Sequence, residues 1–410
     1  MNENKIAPSL LARLREPRAF EAGAPPIPVI IMYRRDVARS QTVREGVQAR
    51  YVFRLTPTVA ADASGRDIGE LSDDPQIEYI WLDEPVHTCL DRSVPAVSVP
   101  AVWAAGYRGA GTKIGIVDTG IDRSHPDFTG RIVAGASFVG GDYDDDNGHG
   151  THVAGIVAGD GFAGNSMYQG VAPEASLYLA KVLDQDGSGA MSGVMAGVEW
   201  VVDQEVHVIN LSLGGSGSSD GKDALSLTCN AAVAHNIIVC VAAGNEGPSG
   251  ETVSSPGAAA DVITIGAVDR SDRVASFSSR GPTADGRVKP DICFPGTDIV
   301  SARATGTSLG TPVNDRYTAA SGTSMATPHA SGVAALLRQA VPTLTPLQAK
   351  LALMQTALDL GQDENAQGSG RARADLALAK AKGEPVPEPT PPDDTKKGCL
   401  PTFLIPLVGH

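Results

Sequence analysis

The chain of 410 residues is poor in cysteine, and the five cysteines that it contains form no pattern. Their number is odd, their spacing is wide and none belongs to a CxxC pair, which argues against a zinc site, a redox motif or a disulfide framework. The plain interpretation is that all five are buried or idle free thiols. They are Cys89, Cys229, Cys240, Cys293 and Cys399.

Basic residues are also few, since 33 Lys and Arg stand against 47 Asp and Glu, for a formal net charge of -14. Nucleic-acid binding needs a basic face, so nucleic acid is not expected as a partner. No apolar run approaches the roughly 18 residues of a membrane span. Near the N-terminus, Arg13, Arg15 and Arg18 interrupt the apolar run that a signal peptide needs. The sequence therefore predicts a cytoplasmic protein, with secretion by another route as the alternative.

Composition and pattern divide the chain into four parts: a loose N-terminal arm, a small α+β domain, a large domain, and a Pro-rich linker with a short apolar tail. Their bounds are residues 1–26, 27–90, 91–382 and 383–410. In the large domain, short apolar runs such as residues 237–243 alternate with segments whose apolar residues recur at helical spacing. This alternation predicts an α/β fold with a parallel sheet covered on both faces.

Four segments of the large domain carry residue types that suit amide hydrolysis, which needs a nucleophile, a base and donors for the developing oxyanion. The first is an apolar strand that ends at Asp118. A carboxylate at that edge of a parallel sheet can orient an imidazole, although a plain turn before Gly120 is the alternative. The second places His149 between two glycines at a helix start. His152 follows, but zinc proteases need HExxH, so His152 is predicted to be structural.

The third segment, SGTSMATPHA, places Ser324 at the start of a helix. The free N–H groups and the dipole of a helix N-terminus favour a developing anion there. Ser324 could equally be a simple helix cap, and helix reasoning alone does not decide between the two. The fourth segment, AAGNEG, contains Asn245, which is either a donor to the oxyanion or an Asn in a Gly-rich turn.

Together and in this order, the four segments resemble those of the subtilisin-like serine proteases (subtilases, peptidase family S8) over roughly residues 94–381. The resemblance implies a subtilisin-like fold and a serine endopeptidase that acts on proteins or peptides through an acyl-enzyme on Ser324. Asp118 and His149 would complete its triad, and Asn245 would be the oxyanion residue. Residues 276–282 and 289–292 further resemble the signal-less bacterial alkaline proteases.

The resemblance also implies a substrate site. An extended peptide would pair with an edge strand that contains Ser212, Leu213 and Gly214, a mode that relies on backbone hydrogen bonds. The opposing wall of the first specificity pocket would be Ala242, Ala243 and Gly244. The expected floor is near Ser254, where many subtilisins have Gly, and we expect a broad, apolar-leaning pocket.

Processing and metal binding are further implications of the resemblance. Residues 27–90 would be a propeptide that inhibits the cleft and is removed by self-cleavage near Leu90 and Asp91. No cofactor is implied for the chemistry, but structural calcium is, at Asp127. The acidic run 142–146 is a second calcium candidate, because hard cations prefer clustered carboxylates; a solvated loop is its alternative.

Two other functions stay open at the level of sequence. A dedicated processing peptidase with one partner protein would have the apolar C-terminal tail as its only hint. A catalytically silent subtilase fold used for binding would require a lost catalytic residue or a blocked cleft, and no catalytic residue is lost.

Overall fold

The computed structural model describes residues 1–15, 20, 24–34, 42–44, 47–52, 57–83 and 90–386. The chain divides into two compact units, Met1–His87 and Thr88–His410. The Pro-rich linker and the apolar tail predicted at the C-terminus fall almost wholly outside the described residues, as do Cys89 and Cys399.

The first unit contains five strands and two helices among its described residues. They are α1 (Pro8–Leu14), β1 (Ile27–Tyr33), β2 (Thr42–Arg44), β3 (Val47–Val52), β4 (Thr58–Ala63), α2 (Gly65–Asp73) and β5 (Ile77–Leu82). The strands form an antiparallel sheet in the order β2-β3-β4-β1-β5. In β1 every second residue is buried, as expected for a sheet with one covered face. The predicted small α+β domain thus has two more strands, β2 and β4, than its sequence indicated.

The N-terminal segment is not wholly the loose arm that its composition predicted. Pro8 begins α1, a position where its missing N–H costs nothing. Leu10 and Leu14 are buried in the same apolar cluster as residues of the sheet. The amide of Ala7 donates to the carbonyl of Ile80 in β5 at 2.9 Å. The prediction failed because a helix of seven residues has too short a periodic pattern to stand out, and only the sheet beneath it makes the burial possible.

The second unit contains ten strands and nine α-helices among its described residues. In chain order they are α3 (Leu90–Ala96), α4 (Val99–Ala104), β6 (Lys113–Asp118), β7 (Ile132–Ser137), α5 (His149–Ala158), β8 (Ser176–Lys181), α6 (Met191–Asp203), β9 (Val208–Leu211), α7 (Ala224–Ala234), β10 (Ile238–Ala242), β11 (Ile263–Val268), β12 (Ile292–Pro295), β13 (Ile299–Ala302), β14 (Thr311–Pro312), β15 (Tyr317–Ala320), α8 (Thr323–Ala340), α9 (Pro346–Gln355), α10 (Glu364–Gln367) and α11 (Ala374–Ala381).

Seven of these strands form one parallel sheet in the order β12-β11-β10-β9-β6-β8-β7. The sheet is covered on both faces. Strand β10 illustrates this, because all five of its residues are buried. Ile238 and Cys240 join the cluster that contains α5 and α8, whereas Val239 and Val241 join the cluster that contains α6 and α7. The predicted α/β fold is confirmed. Strands β13, β14 and β15 form a separate antiparallel sheet.

The three described cysteines are buried free thiols, as the sequence predicted. Burial raises the pKa of Cys229, Cys240 and Cys293 to about 12, so that each is a protonated, unreactive group at neutral pH. Among the described helices, none is both long and apolar enough to cross a membrane.

Candidate active site

The carboxyl ends of β6 and β9 lie side by side, because Val117 is paired with Leu211. Asp118 ends β6 and is 1% exposed. Its Oδ1 is 2.6 Å from Nδ1 of His149 and also accepts the amide of Thr119 at 2.8 Å. Oδ2 is buried and has no partner among the described residues. A buried, poorly solvated carboxylate of this kind favours the protonated form of the imidazole beside it.

His149 is the first residue of α5, and its side chain is 20% exposed. Burial by itself would lower the pKa of His149, but the charge of Asp118 and the hydrogen bond to it outweigh burial, so that the pKa is raised above its ordinary value. This imidazole is therefore held in one orientation, with Nδ1 on the carboxylate and Nε2 left for a second partner. It is suited to accept a proton from a neighbouring group.

Asp145 holds the start of α5, although the sequence predicted a loop or a calcium site for this carboxylate. Asp145 accepts the amides of Gly148 and Thr151, both at 2.8 Å, and the hydroxyl of Thr119 at 2.9 Å. Such a carboxylate satisfies free N–H groups and the positive end of the helix dipole. An Asp three residues before a Gly-His helix start was the only sequence signal available for this role.

Glycines on both sides of His149 are required by the local backbone. Gly148 has φ 104°, a left-handed conformation that favours glycine. At Gly150 a Cβ would overlap the carbonyl oxygen of Gly120, in the loop that follows Asp118. The small residues thus let the helix start approach the end of β6 closely, which brings His149 to Asp118.

His152 is structural, as predicted. It is fully buried, and its Nε2 lies 3.0 Å from the carbonyl of Ile299 and 3.2 Å from that of Thr318. Burial, reinforced by the neighbouring His149, lowers the pKa of His152 to about 3. The ring is therefore neutral and joins α5 to the second sheet.

Ser324 lies in the first turn of α8 and is linked twice to the end of β9. Its hydroxyl donates to the carbonyl of Ser212 at 3.0 Å, and the hydroxyl of Ser212 donates to the carbonyl of Ser324 at 2.9 Å. Asn210 donates to the Ser212 hydroxyl at 3.0 Å and accepts from Ser331 at 2.8 Å. This buried network fixes the start of α8 against β9. No sequence pattern indicated this network, because the residues at the end of β9 and those in α8 are more than 100 residues apart in the chain.

The side-chain amide of Asn245 is oriented by Thr323, the residue before Ser324. Oδ1 of Asn245 accepts the Thr323 amide at 2.9 Å and the Thr323 hydroxyl at 3.0 Å. With the oxygen held in this way, the NH₂ group is the exposed end of the side chain and is free to donate. A preorganised donor next to a serine hydroxyl is what an oxyanion site needs.

A cleft of about 450 Å³ runs past His149. One wall contains Ser212, Leu213 and Gly214, which follow β9. The backbone groups of Leu213 and Gly214 have no hydrogen-bond partner among the described residues. The rest of the cleft lining is largely apolar. It includes four side chains that the sequence did not indicate: Leu183, Met191, Val194 and Leu225.

Gly214 and Gly244 face each other across Ser254, which is 3% exposed. The Ser254 hydroxyl lies 3.2 Å from the point where a Cβ of Gly214 would be, and 3.5 Å from that of Gly244. Ala242 and Ala243 precede Gly244 at the end of β10 and are buried. The expected wall and floor of a first pocket therefore come together, and the hydroxyl adds a polar group to a pocket that was expected to be apolar.

The surroundings of Asp127 do not fit the calcium ion expected there. Its Oδ1 accepts the amide of Ala163 at 2.8 Å, and its Oδ2 accepts the hydroxyl of Tyr317 at 2.7 Å. The guanidinium of Arg131 donates to the carbonyls of Asp127 and Ala158. An arginine thus brings its own positive charge and donors to this position.

The acidic run 142–146 is not a carboxylate cluster either. Asp142 and Asp144 pair with Arg123 at 2.8 and 2.5 Å, and Asp146 pairs with Lys181 at 2.6 Å. Asp142 and Asp144 share Arg123, Asp146 has Lys181, and Asp145 accepts hydrogen bonds from the start of α5. In the described part of the chain, no group of three or more His, Cys, Asp or Glu could hold a metal ion.

The expected self-cleavage point lies at the start of α3, whose first two residues are Leu90 and Asp91. Their side chains lie outside the described part of the structure. Farther along the helix, Ser93 is buried, and its hydroxyl is 2.9 Å from Nε2 of the buried His329 in α8.

Comparison with known proteins agrees with this geometry. The profile of the subtilase family matches residues 109–370, which include the carboxylate, the imidazole, the amide and the hydroxyl described above. The chain belongs to the subtilase family. It is a serine endopeptidase, and members of this family need no cofactor for peptide hydrolysis.

Three relatives illustrate the extent of the similarity. Serine protease AprX of Bacillus subtilis strain 168 is 40% identical over 321 residues, which cover 72% of this chain and 72% of that protein. Subtilisin E of the same strain is 40% identical over 327 residues, covering 77% and 80%. A thermostable alkaline protease of Halalkalibacterium halodurans is 36% identical over 341 residues, covering 81% and 87%.

Proposed function

We propose that this subtilase hydrolyses peptide bonds with Ser324 as nucleophile, His149 as general base and acid, and Asp118 as the residue that orients His149. The observation that carries the assignment is the 2.6 Å contact between Asp118 and His149 beside the buried end of β6. Ser324, at the helix start that is hydrogen-bonded to the neighbouring strand β9, is the nucleophile that fits this pair.

In the reaction, the Ser324 hydroxyl releases the carbonyl of Ser212 and gives its proton to Nε2 of His149 as it attacks the scissile carbonyl. The charge that develops on the substrate oxygen is accepted by the NH₂ group of Asn245 and by the amides at the start of α8. His149 then donates the proton to the leaving amine, which leaves an acyl group on Ser324. Water, activated by the same imidazole, releases the acyl group.

Protein or peptide substrates are proposed to bind in extended form. The unpaired backbone groups of Leu213 and Gly214 can form hydrogen bonds with such a segment, and the apolar side chains of the cleft can contact its alternate residues. The side chain before the scissile bond would enter between Gly214 and Gly244, above Ser254.

We further propose that the protein is made as a precursor in which the N-terminal unit is an intramolecular inhibitor removed by a cut between Leu90 and Asp91. The separation of the chain into compact units close to this point supports the proposal. A cytoplasmic location remains a prediction, which cell fractionation would test. Calcium at Asp127 is left out of the proposal because Arg131 occupies its surroundings.

One substitution tests both parts of the proposal. Ser324→Ala is expected to abolish hydrolysis of a peptide amide and labelling by a serine-directed phosphonate, because it removes the hydroxyl that is proposed to attack the substrate and the phosphonate. The same variant should purify as the full-length chain, whereas the parent should show a new N-terminus within a few residues of Asp91.

Ser226→Ala is a matched control, since Ser226 is a buried serine that donates to Asp223 and does not itself line the cleft, and the variant should be labelled and processed normally. Labelling that survives in Ser324→Ala would overturn the catalytic assignment. A parent protein that hydrolyses the peptide while keeping its original N-terminus would overturn only the precursor proposal.

A further inference from the structure

A second depression lies at the end of the sheet opposite to Asp118, where the parallel strands begin. Lys113 begins β6, Val206 and His207 precede β9, and Ile237 precedes β10. Arg338, near the C-terminal end of α8, also lines the depression, which has a volume of about 430 Å³. Because β6 has six residues, its two ends are separated by roughly 17 Å. The depression is therefore distinct from the catalytic cleft.

Its lining is basic in a protein whose net charge is -14. Five ionisable side chains line it, and four of them are basic: Lys113, His207, His235 and Arg338. The fifth is Glu205, whose side chain is 90% exposed and lies 4.0 Å from the ammonium group of Lys113. Two permanent positive charges, those of Lys113 and Arg338, therefore line the depression together with one negative charge, that of the exposed Glu205.

Arg338 is a buried cation without a carboxylate partner in the described part of the chain. It is 6% exposed, and its guanidinium donates to the carbonyls of Asn236 at 2.6 Å and Pro342 at 3.2 Å. Its Nε is buried and has no acceptor among the described residues. A buried charge that is not neutralised is costly. An anion in the depression would supply the missing countercharge.

His207 adds a directed donor. Its Nδ1 accepts the amide of Lys113 at 3.1 Å, so the neutral ring carries its proton on Nε2. Burial, followed by the charges of Arg338 and Lys113, lowers the pKa of His207. This direction agrees with a positive potential in the depression and with a donor nitrogen that has no acceptor among the described residues.

We propose that this depression binds an oxyanion with two negative charges, of the phosphate or phosphate-monoester type. Two fixed cations match a dianion, and the Nε2–H of His207 and the exposed side chain of His235 add donors for its oxygens. The volume exceeds that of one phosphate, so it leaves room for an ester group. Binding would stabilise the strand starts and the end of α8 without blocking the catalytic cleft.

The test is calorimetric titration of the full-length Ser324→Ala protein, which cannot digest itself, at constant ionic strength. One arm uses inorganic phosphate and the other uses phenyl phosphate, so that a free anion and a monoester are distinguished. Both should bind at one site, and the tighter ligand identifies the source. Lys113→Met should raise the Kd by about tenfold or more, because one of two permanent charges is lost.

Lys222→Met is the matched control, since Lys222 is exposed and its ion pair is with Asp220 at the surface; the Kd of this variant should equal that of the parent. Phosphate also stabilises proteins without binding to a site, because it is excluded from their surface. That effect would be the same in the parent and in every variant, so it cannot produce a difference in Kd between them. His235→Gln is a second variant at an exposed position and should also weaken binding. In proton NMR, phosphate should raise the pKa of His207. Absence of binding, or equal Kd values in the parent, Lys113→Met and His235→Gln, would overturn the proposal.

Discussion

At the scale of single residues, the site depends on how each polar group is held by a neighbour that takes no part in the chemistry. Thr323 fixes the amide of Asn245, and Asp145 holds the first turn of α5, which carries His149. Asp118 is the extreme case, because it is almost fully buried and its charge acts on one ring. Its effect on proton affinity can therefore be measured on that ring alone.

Asp118→Asn is expected to shift the acid limb of kcat/KM to lower pH and to lower kcat by about 10⁴-fold, the scale of the same change in another serine-protease triad. If His149 is the base, as proposed, the enzyme needs its neutral form, and activity should be lost as pH falls through the pKa of that ring. Burial lowers this pKa, and the charge of Asp118 and the hydrogen bond to it outweigh burial; without them only the charge of Asp145 opposes burial, and the pKa is expected to fall. Profiles between about pH 5 and pH 9 check this, with Asp220→Asn as the surface control. An unmoved limb would contradict the role given to Asp118.

At the scale of elements, two helix starts carry the residues to which the chemistry is assigned in the proposal. His149 is the first residue of α5 and Ser324 the second of α8. Helix α8 is buried along most of its length, and α5 packs against it. Packing between the two helices limits how far one start can move relative to the other. At its far end, α5 is held by Arg131, which donates to the carbonyl of Ala158.

Arg131→Met is expected to lower stability by about 2 to 4 kcal/mol, because it leaves the buried carbonyls of Asp127 and Ala158 without their charged donor. A chelator should leave the Tm of the parent unchanged, since the cation at this position is part of the chain. Both measurements are made in the Ser324→Ala protein, which serves as the parent here because it cannot digest itself. Arg123→Met removes two ion pairs with exposed carboxylates and should cost about 1 kcal/mol or less. A parent Tm that falls with chelator while Arg131→Met is harmless would restore calcium as the stabilising ion.

At the scale of the whole molecule, the parallel sheet separates two edges of opposite character, a catalytic cleft where strands end and a basic depression where they begin. Burial within the second unit also sets its response to pH. His152 and His329 are fully buried, and burial lowers the pKa of His329 to about 4. Both rings are neutral in the folded protein at any pH where it is expected to work.

Stability is therefore expected to fall in mild acid. A His whose folded pKa is lowered contributes stability that is present above its unfolded pKa of about 6.5 and is lost as pH falls towards the folded value. For His329 alone, this amounts to about 2 kcal/mol between pH 7 and pH 5. Guanidinium unfolding of Ser324→Ala at these two pH values measures it.

His329→Gln should reduce that pH dependence, whereas His235→Gln, at an exposed ring, should not. An unchanged dependence in His329→Gln would show that other groups cause the loss. His149 acts in the opposite direction, because its raised pKa gives stability below about pH 6.5 that is lost as pH rises.

The chain by itself determined the alternation of strands and helices, the order of the four chemistry-bearing segments and thus the family. These properties are local. Apolar periodicity, and short motifs with glycine where the backbone requires it, can be recognised without knowing which residues pack against them. The strands β4 and β7 were missed because small or half-exposed residues give no clear period.

Only the tertiary structure decided what each polar side chain contacts. The sequence predicts calcium at Asp127, but Arg131 donates to the carbonyl of this residue. It predicts a loop or a calcium site at Asp145, but this carboxylate accepts amides from the first turn of α5. The network of Asn210, Ser212, Ser324 and Ser331 and the basic depression around Arg338 join residues far apart in sequence. Contacts of this kind exist only after the sheet and the helices have packed, because packing, and not sequence spacing, brings the partners within hydrogen-bond distance.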